Sequence, residues 1–192
     1  MFTGIVEELG TVAAAGTKLE VRCSSVLSDL SIGASIAVNG VCLTAVEVSG
    51  EGFAADLAPE TLSRSNLGDL AAGSRVNLER PVTPATRVSG HIVQGHVDAT
   101  GEVVALNALG DGNWWLKVRM PKSLDRYLVE KGSVTLDGIS LTIAAIDLDV
   151  IGVTIIPHTF SNTTIGQARV GSKLNIEVDV LAKHVEKLLA HR

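Results

Sequence analysis

Apolar and polar positions alternate in short runs along most of this chain. Lys18-Leu19-Glu20-Val21-Arg22 is one such run, and the segments 35–38, 42–48 and 75–78 are similarly alternating or rich in β-branched residues. Alternation with period two predicts half-buried strands, and Gly and Asn between the runs predict tight turns. Helical spacing is rare. The segment 121–130 is expected to form a short helix and 59–67 to contain a helical turn. In 181–190, Leu181, Val185, Leu188 and Leu189 recur at helical spacing beside Lys183, His184, Glu186 and Lys187, which predicts an amphipathic terminal helix.

The pattern repeats. Displaced by 98 positions, Val38-Asn39-Gly40-Val41-Cys42-Leu43-Thr44 falls on Leu136-Asp137-Gly138-Ile139-Ser140-Leu141-Thr142. In the same register Pro59-Glu60-Thr61-Leu62-Ser63 falls on Pro157-His158-Thr159-Phe160-Ser161, and Val76-Asn77-Leu78-Glu79 on Leu174-Asn175-Ile176-Glu177. Displaced by 91, Gly4, Val6, Gly10 and Val12 fall on Gly95, Val97, Gly101 and Val103, so a longer loop, expected at 107–113, absorbs the difference. Evenly spaced short strands with turn signals favour closed barrels, because closure removes unpaired edges. The fold expected is all-β: two tandem barrels of about six strands each, covering 1–88 and 89–179, followed by a helix in 180–192.

Composition narrows the function. With 16 Lys plus Arg against 21 Asp plus Glu, the net charge of −5 argues against a nucleic-acid binder. The 46% hydrophobic and 19% charged residues describe a folded globular chain rather than a disordered one. The acidic start Glu7-Glu8 and the two unpaired-looking cysteines, Cys23 and Cys42, lead to the expectation of a soluble cytoplasmic protein with no membrane partner. No phosphate loop, complete dinucleotide glycine fingerprint or zinc spacing occurs, so neither a metal nor a cofactor is expected.

Where the halves differ, the chemistry is concentrated. Ile5 corresponds to His96, Asn39 to Asp137, Cys42 to Ser140 and Glu60 to His158. His96 sits between Gly95 and Val97, where small neighbours allow a ligand to approach, and imidazole is suited to proton transfer near neutrality. A lone histidine is also readable as a structural one. Cys42 reads either as a nucleophile or polar pocket wall, or as a small buried apolar residue. Asp137 before Gly138 reads as a turn residue whose carboxylate could orient a base. Thr44 and Thr142, with Thr61 and Thr159, bring matched hydroxyls to both halves, which suits a pair of similar ligands as well as simple strand-edge satisfaction.

Together, Met1-Phe2-Thr3-Gly4-Ile5-Val6-Glu7-Glu8, the Val38 to Thr44 motif, Gly90-His91-Ile92-Val93-Gln94-Gly95-His96-Val97-Asp98 and Asp137-Gly138-Ile139-Ser140-Leu141-Thr142 closely resemble the riboflavin synthase alpha-chain family. The resemblance runs from Met1 to the terminal helix. It implies two six-stranded Greek-key barrels and association of three chains through that helix. It also implies a reaction: two molecules of 6,7-dimethyl-8-ribityllumazine undergo dismutation by transfer of a four-carbon unit, giving riboflavin and 5-amino-6-ribitylaminouracil without an external cofactor. The productive site would pair the N-terminal barrel of one subunit with the C-terminal barrel of its neighbour.

Carried onto matching positions, the N-terminal pocket would use Gly4, Ile5, Val6, Cys42, Leu43, Thr44, Asp56, Leu57, Ala58, Pro59, Glu60 and Thr61. The C-terminal pocket would use Gly95, His96, Val97, Lys131, Ser140, Leu141, Thr142, Thr154, Ile155, Ile156, Pro157, His158 and Thr159. His96, Ser140, Thr142 and Asp179 are expected around proton transfer from the C7 methyl of one lumazine. Cys42, Thr44 and Ser35 are expected to line or activate the other. Two departures from the family pattern are Ser89, where Gly is usual, and His158, where Glu is usual. The competing readings are a chromophore-holding lumazine protein without turnover and a flavin-binding reductase barrel, for whose nicotinamide domain the chain has no room.

Overall fold

A computed structural model describes residues 1–190. The N-terminal half comprises β1 (Glu8–Ala14), β2 (Lys18–Arg22), β3 (Ser35–Val38), β4 (Val41–Val48), β5 (Gly52–Asp56), α1 (Pro59–Arg64) and β6 (Arg75–Glu79). The C-terminal half repeats this with β7 (Ala99–Ala108), β8 (Trp114–Arg119), β9 (Ser133–Leu136), β10 (Ile139–Asp147), β11 (Val150–Ile155), α2 (Pro157–Asn162) and β12 (Lys173–Val178), and α3 (Val180–Leu189) follows. Each set of six antiparallel strands closes into a barrel, in the order β1-β2-β5-β4-β3-β6 and its equivalent β7-β8-β11-β10-β9-β12. Every strand thereby acquires two partners, the solution that short alternating strands favour. Inward residues such as Val21, Ile36 and Leu78 fill the first barrel, and Val118, Leu136 and Ile176 fill the second.

Two local expectations change. The segment 121–130 forms only a 3₁₀ turn over Lys122–Tyr127, with Leu124 N–H donating to Pro121 O and Leu128 N–H to Asp125 O. Leu128 is already extended (φ −102°, ψ 131°), which ends the winding, and Lys131 then takes a positive φ of 66°. The inserted loop is shorter than 107–113, because Asn107 and Ala108 pair with Trp115 and Trp114 and extend the hairpin. At the other end of the chain, the last two residues of the expected 180–192 helix, His191 and Arg192, lie outside the described residues.

The barrels meet at the tips of two equivalent hairpins. Gly40 and Gly138 both have positive φ, and a Cβ on Gly40 would lie 2.6 Å from Gly138 N, so glycine is required for the backbones to touch. Around them a buried amide network joins the halves. Asn77 Nδ2 donates to Asp137 O at 2.8 Å, Asn175 Nδ2 donates to Asn39 O at 2.8 Å, and Asn66 Nδ2 donates to Asp137 Oδ1 at 2.9 Å. Asp137, expected as a turn residue, does have the αL backbone of one, but its carboxyl is buried inside this junction.

Burial pushes the Asp137 carboxyl up from 3.8 to about 7, against the hydrogen bonds from Asn175, Asn66 and Thr164. Its contribution to stability is therefore complete below pH 4 and is lost as the pH rises through 7, because the unfolded chain ionises where the folded one resists. Asp137→Asn retains the shape and the acceptor oxygen. Denaturant unfolding from pH 4 to 8 is expected to show the variant gaining on the parent by up to about 4 kcal/mol across that range. Parallel stability profiles for the two proteins would refute the assignment.

Candidate functional site

The N-terminal segment and the segment between the barrels are anchored on the last strand of the barrel that follows them, Glu7 N–H donating to Leu78 O and Asp98 N–H to Ile176 O, yet both reach past it. Each crosses to the other barrel. Ser140 N–H donates to Gly4 O at 2.8 Å, and Val6 packs on the core of the C-terminal barrel. In mirror fashion Cys42 N–H donates to Gly95 O at 2.9 Å, and Val97 packs on the core of the N-terminal barrel. Gly4 and Gly95 have positive φ, and a Cβ on either would lie within 2.6 to 2.7 Å of the Ser140 or Cys42 Cβ. The two segments also pair with each other, Phe2 N–H donating to Val93 O at 2.7 Å, and Phe2 and Val93 form a small buried core with Ala37 against Cys42.

Two carboxylates hold the crossings in place. Glu177, at the end of β12, accepts the backbone N–H groups of Gln94 (2.6 Å), Gly95 (2.8 Å) and His96 (2.9 Å). Glu79, its equivalent on β6, accepts Thr3 N–H (2.7 Å), the Thr3 hydroxyl (2.8 Å) and Gly4 N–H (3.0 Å). Burial raises both carboxyls, and the backbone donors act in the opposite direction. Neither was selected from sequence, although Asn77-Leu78-Glu79 and Asn175-Ile176-Glu177 carried the signal: identical polar residues, duplicated, inside strands.

Within one chain the crossing brings the expected pocket residues together in a different grouping. Gly4, Ile5 and Val6 belong with Ser140 at the mouth of the C-terminal barrel, whereas Gly95, His96 and Val97 belong with Cys42 at the mouth of the N-terminal one. There a cleft of about 420 Å³ is lined by Cys42, Glu60, Thr61, Arg64, His96 and Val97, among others, a size suited to a small ligand. The grouping of His96 with Ser140, Thr142 and Asp179 is likewise divided within one chain. Asp179 caps α3, its Oδ1 accepting Leu181 N–H at 2.9 Å. Ser140 is instead partnered by His91, whose Nδ1 lies 2.7 Å from Ser140 Oγ.

The remaining residues follow the strand alternation. Cys42 and Thr44 face outward on β4, where Thr44 pairs with Ser35, while Leu43 is buried inward. Ser140 and the exposed Thr142 repeat this on β10, beside the half-buried Leu141. Asp56 and Thr154 are exposed near the ends of β5 and β11. The side chains of Leu57 and Ile155 are buried in the barrel cores, so they can offer a ligand only backbone groups. Ala58-Pro59 and Ile156-Pro157 begin α1 and α2. On those helices the Glu60–Arg64 ion pair has its counterpart in His158, whose carbonyl accepts from Asn162 Nδ2, and Thr61 and Thr159 accept from the following Ser65 and Thr163 hydroxyls through their backbone oxygens. Lys131 occupies the αL position filled by Gly33 in the first half, and a lysine accepting that strain marks a candidate contact. Among the described residues no three His, Cys, Asp or Glu side chains converge as a metal site, and no helix is long and apolar enough to cross a membrane.

The two halves, residues 3–81 and 94–179, each match the family model described as the lumazine binding domain. A riboflavin synthase of Mycobacterium tuberculosis is 52% identical over 199 residues, spanning 98% of each chain. Riboflavin synthases of Photobacterium phosphoreum and Bacillus subtilis are 46% and 42% identical over 98% of this chain and 89% and 90% of theirs. Among solved structures, LumP complexed with riboflavin superposes with a TM-score of 0.87 at 22% identity, over 93% of this chain and 100% of that one. LumP complexed with 6,7-dimethyl-8-(1'-D-ribityl) lumazine superposes with a TM-score of 0.84 over 93% and 99%. These superpositions establish the common fold.

Proposed function

The chain belongs to the riboflavin synthase family and is an enzyme of that kind, and on that premise we propose how its two barrel mouths divide the reaction. Each mouth binds one 6,7-dimethyl-8-ribityllumazine. A four-carbon unit passes from one to the other, leaving riboflavin and 5-amino-6-ribitylaminouracil. The carrying observation is the reciprocal crossing, which builds two similar mouths with different polar groups: Cys42 with His96 at one, Ser140 with His91 at the other.

The chemistry needs the C7 methyl proton of one lumazine removed while a second ring lies stacked against it. His96, which lines the N-terminal mouth, accepts and returns that proton. Backbone groups of the crossing segments, with Thr44 and Ser35 at one mouth and Thr142 at the other, orient the rings. Holding both reactants converts a bimolecular encounter into an effectively unimolecular step. The protein contributes position and proton transfer, and the substrates supply both reacting partners.

Within one chain the Phe2–Val93 bridge and its buried side chains separate the two mouths. The stacked pair therefore forms between chains, the N-terminal mouth of one protomer facing the C-terminal mouth of another and bringing His96 opposite Ser140 and Thr142. The apolar stripe of α3, Leu181, Val185, Leu188 and Leu189, is exposed and supports assembly of a homotrimer, here placed in the cytoplasm. Chain mixing tests this arrangement. A chain carrying His96→Gln and Thr44→Ala, co-expressed with one carrying Ser140→Ala and Thr142→Ala, is expected to recover activity above that of either parent. Activity no greater than the sum of the parents would place the site within a single chain.

A further inference from the structure

We propose that His91 is a positioning residue that fixes the Ser140 hydroxyl as a hydrogen-bond donor toward the lumazine at the C-terminal mouth. The inference rests on the dismutase reading and extends it to a residue with no assigned part in it. Ser140 and Cys42 occupy equivalent positions, but their surroundings differ. His91 Nδ1 lies 2.7 Å from Ser140 Oγ, whereas Cys42 packs against the apolar cluster of Phe2, Ala37 and Val93.

The direction of that hydrogen bond follows from the other ring nitrogen. His91 Nε2 is buried and meets no protein partner. A buried N–H without an acceptor is costlier than a bare lone pair, so the ring hydrogen belongs on Nδ1. Burial also lowers the affinity of His91 for a second proton, with Asp179 opposing, which favours the neutral ring. Nδ1–H therefore donates to Ser140 Oγ and occupies one of its lone pairs. The Ser140 hydrogen is left free to donate outward.

The backbone around His91 makes this arrangement rigid. His91 N–H donates to Thr3 O at 3.1 Å, and a Cβ on the preceding Gly90 would collide with that same oxygen and lie 2.8 Å from Ser140 Cβ. The histidine is thus clamped between the crossing N-terminal segment and β10. Its consequence is chemical asymmetry between two identical substrates. One lumazine meets an oriented hydroxyl and the other a thiol. A fixed donor stabilises negative charge developing on ring heteroatoms more than it stabilises the neutral ring, so its loss is felt in turnover more than in binding.

A double-mutant cycle separates this role from a structural one. His91→Ala is expected to lower kcat about tenfold while changing KM less than about twofold. His91→Asn, whose amide N–H can replace Nδ1–H, is expected to recover most of the loss. In a Ser140→Ala background His91→Ala is expected to cost nothing further. An equal loss in both backgrounds, or full activity in His91→Ala, would overturn the proposal. If the parent protein converted no lumazine, the dismutase reading would fail by itself. The same cycle read by the absorption and emission of bound riboflavin would then decide the pair: a spectral shift on His91→Ala only when Ser140 is present supports it, and equal changes in both backgrounds, or no shift in either, reject it.

Discussion

Glu177→Ala is expected to remove nearly all turnover and to lower the unfolding free energy by about 3 to 5 kcal/mol. Glu177 is 3% exposed and its carboxylate satisfies three successive backbone donors, so the truncated side chain leaves them without acceptors in a part-buried segment. Each such group costs about 1 to 3 kcal/mol, partly relieved where the segment lifts into water. Lifting it displaces His96 and breaks the Gly95–Cys42 contact that shapes the N-terminal mouth. Glu177→Gln retains one acceptor oxygen but presents an amide N–H where a backbone donor already points, and is expected to fall between the two. Denaturant unfolding and steady-state turnover on the same samples check the result. A Glu177→Ala protein with unchanged stability and turnover would refute the clamp.

His96→Gln is expected to lower kcat about 100-fold, within the range attributed to a single acid–base group. Glutamine retains polarity and approximate length but cannot shuttle a proton. Substrate affinity, measured as a dissociation constant for riboflavin or lumazine, is expected to change little. A loss of affinity with kcat preserved would make His96 a binding group. Unchanged turnover would remove it from the proton path altogether.

The duplication was legible because both copies keep the same glycine, threonine and Asn-x-Glu spacing, and a barrel repeated in sequence is a barrel repeated in space. Strand alternation likewise announced strands over 35–38, 42–48 and 75–78, which fall in β3, β4 and β6. The crossing was not legible. Gly4 and Gly95 each sit in a local motif, but the partner of that motif is chosen by hydrogen bonds to Ser140 and Cys42, far along the chain. Placing each segment with the barrel that follows it is the natural linear reading, and tertiary pairing adds a second partner from the other barrel. Asp137 shows a related limit: its turn conformation was readable from Asp-Gly, whereas its burial depends on the meeting of Gly40 with Gly138. His91 stood in a recognised motif, yet only its approach to Ser140 distinguishes it from its neighbours.

The crossing also explains why the two halves are interdependent. Each barrel lends the other the backbone that completes its mouth, and the Asn39, Asn66, Asn77, Asp137 and Asn175 network fixes the halves in register. Small barrels of this size are marginal alone, so a shared polar junction and exchanged segments supply both stability and site geometry.

The most direct measurement is to incubate the purified protein with 6,7-dimethyl-8-ribityllumazine, without added cofactor or metal, and to quantify both products by chromatography. Riboflavin and 5-amino-6-ribitylaminouracil are expected in equal amounts, with two lumazines consumed for each riboflavin formed. Lumazine that binds tightly and is recovered unchanged would contradict the dismutase and identify a chromophore-holding protein instead.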